Sequence, residues 1–298
     1  MSYHTRINAD LEKALHLPLA KNSRYILFSD CHRGCGTAND NFLKNEYLYL
    51  AALKYYFAHG FTYIELGDGD ELWENRSMKC IREMHPESFA LLEKFSHAGR
   101  MYAIYGNHDM VKKCRSFRKK NPSDLPPSYP GIILKDEEQK KDICLIHGHQ
   151  ADMLNSTFWR LSRFLVCYLW RPLEALGIPD PTSAAKNNTK KKKSEKLLTQ
   201  WAREKNCILI CGHTHHPMIG FAVSENSAQN QTQVKAEEEV SPYCNTGSCV
   251  HPYGITGIEL RNRCMSLVKW SMSAGEDLTL CVSREILGET VCIDEYPF

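Results

Sequence analysis

"RYILFSDCHR", residues 24–33, carries an apolar run rich in aromatic and branched side chains straight into a serine, an aspartate and a histidine. Such a run, uninterrupted by polar residues, reads as a strand buried on both faces, as in a parallel sheet covered on both sides. The same transition recurs four times. "FTYIEL" (61–66) leads into Gly67-Asp68-Gly69-Asp70-Glu71, "RMYAIY" (100–105) into Gly106-Asn107-His108-Asp109, "DICLIH" (142–147) into His147-Gly148-His149, and "CILIC" (207–211) into Gly212-His213-Thr214-His215. Open α/β sheets place their ligands at the carboxyl ends of strands, so five strands ending alike predict one shared site.

The segments between these strands support an α/β reading. From 41 to 60, Leu43, Tyr47, Leu50, Leu53 and Phe57 recur at three- and four-residue steps and Gly60 follows, which predicts an amphipathic helix with a stop signal. "HPESFALLEKFSHAG" (85–99) repeats the arrangement, giving βαβαβ. In the last third, "YCNTGSCVH" (243–251), "ITGIELR" (255–261) and "CMSLVKW" (264–270) follow one another without helices, as an antiparallel set would. Two packed sheets flanked by helices accommodate both halves.

Residues 152–205 interrupt the strands. "NSTFWRLSRFLVCYLWRPLEALG" (155–177) has Trp159, Phe164, Leu165, Tyr168, Leu169 and Leu173 as its apolar set, with Arg160, Arg163 and Arg171 among them. It reads either as a core-facing helix or as a helical cap that meets an apolar substrate. "KNNTKKKKSEK" (186–196) packs six lysines into eleven residues, the pattern of a solvated face, with a phosphate-attracting rim as the alternative. "VSENSAQNQTQVKAEEEV" (223–240) reads as a surface loop, and "NTGS" (245–248) as a hairpin turn.

The 298 residues suffice for a sizeable core. A net charge of +2 gives no global pull toward nucleic acid, so no stable nucleic-acid partner is expected. No apolar run reaches the roughly 18 residues of a membrane span and no signal pattern opens the chain, so a cytoplasmic location is expected, peripheral membrane contact staying open. Thirteen cysteines without a CxxC pair argue against a disulfide framework and against a zinc ribbon, and favour a reduced compartment.

Gathering so many carboxylates and imidazoles at one rim is costly unless cations neutralise them. Carboxylate, amide and imidazole without thiolate suit zinc, manganese, iron or cobalt. Seven such ligands are too many for one ion and suit two ions about 3.5–4 Å apart.

"SDCH", "GDGDE", "GNHD", "HGH" and "GHTH", in this order, resemble the five signature blocks of the calcineurin-like metallophosphoesterase superfamily. The resemblance implies a four-layer α/β/β/α sandwich of two mixed sheets, a single domain over 1–298, with the 152–205 insertion as its helical cap. It implies two divalent ions, manganese first, with iron, zinc or cobalt as alternatives. Asp30, His32, Asp68 and His215 would hold one ion, and Asp68, Asn107, His147 and His213 the other. A hydroxide between the ions would attack phosphorus, His108 would protonate the leaving oxygen, and Asp109 would orient His108. Arg33 would contact a phosphate or else pair with a surface acid, and "NTGS" (245–248), besides its hairpin reading, resembles the small turn near the site in several branches of the superfamily. His149 would touch substrate, support a ligand or face the metals, and Arg160 would contact substrate. "LGDGDELWE" (66–74), the helical insertion and "GHTHHP" (212–217) resemble more closely the branch containing UDP-2,3-diacylglucosamine hydrolase. That branch commonly has Arg where His108 stands, and "HGHQAD" (147–152) departs from its usual "HGD". The activity implied is hydrolysis of a phosphodiester or pyrophosphate in a phosphate-containing small molecule, nucleotide- or lipid-linked. A phosphomonoesterase, including a serine/threonine protein phosphatase, and a non-catalytic scaffold are the alternatives. The sequence does not specify the oligomeric state.

Overall fold

The computed structural model describes residues 1–37, 40–75, 77–166, 188–220, 241–274 and 279–295. The loop over 223–240 and the 167–187 part of the insertion, including Tyr168, Leu169, Arg171 and Leu173, lie outside them.

The described strands form two mixed sheets. A five-stranded sheet has the order β1 (Leu15–Pro18), β6 (Ile132–Lys135), β7 (Ile143–Leu145), β8 (Ile208–Cys211), β9 (Tyr243–Asn245). A seven-stranded sheet has the order β12 (Leu280–Cys292), β11 (Cys264–Ala274), β10 (Ile255–Arg261), β2 (Arg24–Phe28), β3 (Thr62–Leu66), β4 (Met101–Ile104), β5 (Ser128–Tyr129). In the larger sheet β2 to β5 are parallel and β10 to β12 antiparallel. All five apolar runs read from the sequence are strands.

Strand alternation divides the side chains into layers. Leu27, Ile64 and Ile104 turn inward and share one core with Leu134, Ile143, Leu145, Ile208 and Ile210 of the smaller sheet, so the two sheets pack face to face. Ile26, Phe28, Tyr63 and Met101 face the other way, into a core with α2 (Glu46–Ala58), α3 (Met78–Met84) and α4 (Pro86–His97). On the outer face of the smaller sheet, Cys144, Leu209 and Cys211 pack with α1 (Tyr3–Leu11) and α8 (Asn188–Lys205). The result is helices, sheet, sheet, helices. Each large aliphatic or aromatic side chain buried in these cores contributes about 2 kcal/mol.

Three details differ from the sequence reading. Helix α2 buries Leu48, Tyr49, Ala52, Leu53 and Tyr56 and leaves Leu43 and Tyr47 exposed, so its inner face is rotated from the expected stripe. The helix is apolar nearly all round, and Tyr49 and Tyr56 turn inward because their hydroxyls find partners: Tyr49 meets the Tyr63 hydroxyl at 2.9 Å and Tyr56 donates to Glu259 at 3.1 Å. Strand β9 runs parallel to β8, whereas an antiparallel partner was expected. Cys264 and Cys292, opposed on adjacent strands with Cα atoms 4.0 Å apart, form a disulfide, a cross-strand bridge where a fully reduced chain was expected.

The described part of the insertion contains α6 (Met153–Ser156), α7 (Trp159–Leu165) and α8, with α5 (Arg115–Lys120) preceding them. Helix α8 buries Ser194, Leu198, Trp201 and Ala202 against the smaller sheet and turns Lys192, Lys193 and Lys196 outward, so the lysine run is largely a solvated face. No helix of the described residues is long and apolar enough to cross a membrane.

Candidate metal centre

The five polar clusters meet along one edge where the two sheets face each other. Asp30 and His32 follow β2, Asp68 follows β3 and Asn107 follows β4; His147 follows β7, and His213 and His215 follow β8. Four of the expected ligands thus come from the larger sheet and three from the smaller. They form two triads, Asp30 with His32 and His215, and Asp68 with His147 and His213, each placing its ligand atoms within 4.8 Å of one another. Asp68 Oδ2 lies 3.1 Å from His147 Nε2 and 3.8 Å from His32 Nε2, between the triads.

Each carboxylate has one oxygen anchored and the other aimed into the site. Asp30 Oδ2 accepts from the His213 N–H at 2.9 Å and from the Ser29 hydroxyl, while Oδ1 lies 3.0 Å from His215 Nε2. Asp68 Oδ1 accepts from the His108 N–H at 2.8 Å, leaving Oδ2 to the centre. The rings are oriented from behind as well. His147 Nδ1 donates to the Leu66 carbonyl at 2.7 Å and His32 Nδ1 to Glu71 at 2.8 Å, so in both rings Nε2 keeps its lone pair toward the centre.

The backbone is held in uncommon conformations to achieve this. Asp30, His32, Asp68, His213 and His215 all adopt left-handed φ, between 48° and 69°, at about 1–3 kcal/mol each. Glycines permit the close approach of the loops: a Cβ on Gly106 would sit 2.5 Å from the Asp68 nitrogen, and one on Gly212 would sit 2.6 Å from Asp30 Oδ2. The Gly that opens "GNHD" and "GHTH" is therefore a packing requirement of the site.

Asp30 Oδ1, Asn107 Oδ1, His147 Nε2, His149 Nδ1 and His213 Nε2 are buried without a hydrogen-bond partner in the protein. Asp30 Oδ1 and His147 Nε2 face only other members of the cluster, His215 Nε2 at 3.0 Å and Asp68 Oδ2 at 3.1 Å, while an atom with no polar partner, such as Asn107 Oδ1, costs about 1–3 kcal/mol when buried. Burial opposes ionisation of Asp30 and Asp68, yet the neighbouring imidazoles, His215 for the first and His147 for the second, hold both carboxyls well below their ordinary range. Burial likewise opposes a charge on His147, but Asp68 overrides it and lifts His147 to about 9. Burial and the nearby His147 push His213 down to about 3, leaving it neutral and ready to coordinate. Asp68 thus draws a proton onto His147 while His213 keeps its lone pair, and a buried set of carboxylates and imidazoles of this kind fits divalent cations of the zinc, manganese, iron or cobalt type.

The remaining site residues lie as follows. His108 is 22 % exposed, its ring stacked on Trp73 with centroids 4.4 Å apart, and its Nδ1 lies 2.7 Å from Glu71 Oε2. Asp109 does not orient that ring. Its carboxylate accepts from the N–H groups of Gly106 at 2.7 Å and Gly69 at 3.2 Å and from Lys112 at 2.7 Å, so it ties two site loops together. The partner of His108 is Glu71, three residues after Asp68, which holds His32 and His108 at once and accepts in turn from the N–H groups of Trp73 and Glu74 at 3.1 and 3.2 Å. The triad of His32, Glu71 and His108 is this hydrogen-bonded set.

Arg33 is neither a phosphate contact nor a surface pair. It is buried, donating to Glu65 at 2.8 and 2.9 Å and to Asp70 at 2.8 Å. His149 lies beside His147, ring centroids 5.5 Å apart, and burial with the neighbouring His147 keeps it neutral. Arg160 is exposed and stands 5.5 Å over the ring of Trp159. "NTGS" is no exposed hairpin turn: Asn245 donates to the Gly212 carbonyl at 2.6 Å and Thr246 shares a 2.7 Å hydrogen bond with Ser29, bracing the loops that carry Asp30 and His213. Glu71 and Trp73 were visible in "GDGDELW", but nothing in the spacing revealed their contacts with His108. Arg163, on α7, donates to the Leu72 carbonyl at 2.9 Å and so fastens the insertion to this same loop.

No protein-family model matches the chain, and no curated protein matches it. Solved structures similar to it include Vps29 of Chaetomium thermophilum, 11% identical over 90% of this chain and 98% of that one with a TM-score of 0.37. The same protein complexed with the RaPID-derived cyclic peptide RT-D3 gives 10% identity, 92% and 98% coverage and a TM-score of 0.36. Superpositions this loose carry no weight for function.

Proposed function

We propose that the chain is a metal-dependent hydrolase of phosphoric esters, cleaving a phosphodiester or pyrophosphate bond with two divalent cations, manganese first among them. The observation that carries this reading is Asp68 Oδ2, 3.1 Å from His147 Nε2 and 3.8 Å from His32 Nε2, where two histidine-containing triads gather six of the seven expected ligands. Asp30, His32, Asp68 and His215 would hold one cation, and Asp68, Asn107, His147 and His213 the other. Two such ions, when bound, polarise a phosphoryl group and make water nucleophilic near neutral pH.

The chain's own part is proton delivery and orientation. With Nδ1 bonded to Glu71 and its face stacked on Trp73, His108 keeps Nε2 for a leaving oxygen, the role of a general acid. Glu71 favours the charged imidazole that such an acid must be. The sequence blocks alone support the finer substrate, a nucleotide- or lipid-linked pyrophosphate. A phosphomonoester would need the same acid. A scaffold without activity has less support, because neither the ligand set nor the His108 pair is depleted.

The test is hydrolysis of an aryl phosphodiester, an aryl phosphomonoester and a UDP-sugar pyrophosphate by the manganese-loaded protein, with bound metal measured in parallel. Asn107→Ala is expected to lose metal and turnover together. His108→Ala is expected to keep metal and lose about 10²- to 10⁴-fold in turnover. Undiminished turnover in both variants would overturn the reading, as would native protein that takes up no divalent metal.

A further inference from the structure

A second concavity opens on the helical side of the larger sheet, lined in part by Arg33 and Asp70, chain neighbours of His32 and Asp68, with a volume of about 380 Å³. Its floor is a set of buried ion pairs: Arg33 with Glu65 and Asp70, and Lys112 with Asp70 at 2.8 Å. Two cations and two acids cancel there. The walls are apolar, formed among others by Met78, Met101, Ala103 and Phe117. Toward solvent stand Arg82, half-buried, and Arg118, exposed, and the only acids lining the cavity are the two already paired at its floor. Arg82 is held over the Phe89 ring at 5.0 Å, donates one N–H to the neutral Ser123 hydroxyl and makes a long contact of 3.5 Å with Glu93, which leaves its charge only loosely compensated.

The volume falls at the lower end of the roughly 300–1,000 Å³ typical of small-ligand pockets. A charged group pushed to the floor would compete with ion pairs already formed in a low-dielectric setting, whereas one at the mouth meets two arginines. An apolar body between the methionines and Phe117 would leave the floor undisturbed. We propose that this cavity is a binding site for a small amphipathic anion, a short aliphatic chain ending in one anionic head, with the head between Arg82 and Arg118 and the chain along the apolar walls. The site is independent of the metal centre and of the hydrolytic reading.

Octanoate is a suitable probe, titrated calorimetrically into the full-length protein, with octanol as the uncharged comparator. Saturable one-site binding is expected, weakened about tenfold for octanol and about tenfold in the Arg82→Gln/Arg118→Gln double variant, as two partly exposed charge contacts allow. Ala103→Leu, which fills the cavity from β4, is expected to remove binding, while Asn107→Ala in the metal cluster leaves it unchanged. The double variant alters only surface side chains and keeps the test decisive should Ala103→Leu misfold. The proposal is overturned if octanoate does not bind, if octanol binds as tightly, or if the double variant binds octanoate as the parent does.

Discussion

Replacing Glu71 by glutamine removes one negative charge and one acceptor at the junction between His32, the proposed metal ligand, and His108, the proposed acid. The carboxylate takes Nδ1–H of His32 at 2.8 Å on Oε2, and on Oε1 it takes Nδ1–H of His108 at 2.9 Å and the N–H groups of Trp73 and Glu74 at 3.1 and 3.2 Å. A glutamine has a single acceptor oxygen. If its amide nitrogen occupies the Oε2 position, the His32 imidazole donor faces a donor; if it occupies the Oε1 position, the His108 imidazole and both backbone donors do. Each buried donor stranded in this way costs about 1–3 kcal/mol, and the cheapest escape is for His32 to rotate or change tautomer, which withdraws Nε2 from the centre. Loss of such support behind a ligating histidine lowers metal affinity by about 10- to 100-fold, or roughly 1.4–2.7 kcal/mol. Turnover at saturating metal should fall further, because His108 loses the charge that favours its protonated form. Manganese affinity measured by competition with a chelating dye, alongside hydrolysis of an aryl phosphodiester, reads both effects. Asp109→Asn is the control: its carboxylate does not touch His108, so the acid limb of the pH–rate profile should stay in place even if stability drops. Unchanged manganese affinity in Glu71→Gln, or a His108-like turnover defect confined to Asp109→Asn, would refute this assignment.

A second prediction concerns stability and pH. His85 is buried between Asp40 and Glu46, each 3.0 Å away, and although burial opposes its charge, these carboxylates raise it to about 9. Its stabilising charge is therefore fully present below the unfolded value near 6.5 and is lost as pH rises through 9, a contribution of about 3 kcal/mol. Denaturant unfolding at pH 6 and pH 10 should show that loss, and His85→Gln should flatten it; equal slopes in the two proteins would contradict it. Gly106→Ala should abolish metal uptake, since its Cβ would land 2.5 Å from the Asp68 nitrogen, and retention of normal metal binding would show that this loop has slack. Asp136, buried, pairs with Arg263 at 2.6 Å and accepts from the Glu138 and Gln139 N–H groups; Arg263→Met should cost about 3–5 kcal/mol in unfolding free energy by leaving that carboxylate uncompensated.

Strand cores and the polar residues at their ends were readable from the sequence because both depend on short, local patterns: an apolar run, then Gly and a ligand type. The inner face of α2 was not, since Tyr47 and Tyr49 are alike to a periodicity argument and differ in whether a hydroxyl partner such as Tyr63 stands opposite. The pairing of His108 with Glu71 was missed for a related reason. Asp109 is the next residue in the chain, but at the end of β4 neighbouring side chains diverge, and the acid that reaches the ring arrives from the loop after β3. Arg33 illustrates the limit from the other side, because a guanidinium beside a metal-binding motif suggests a phosphate, and only the fold reveals that Glu65 and Asp70 have already claimed it.

The division of the ligands between the two sheets has one more consequence. Asp30, His32, Asp68 and Asn107 are carried by one half of the sandwich and His147, His213 and His215 by the other, so any cation they share acts as a rivet across the seam. Metal occupancy and the adhesion of the halves then belong to a single thermodynamic cycle: chelation should lower the melting temperature, and mutations that loosen the seam far from the rim should weaken ion retention by an equal free energy.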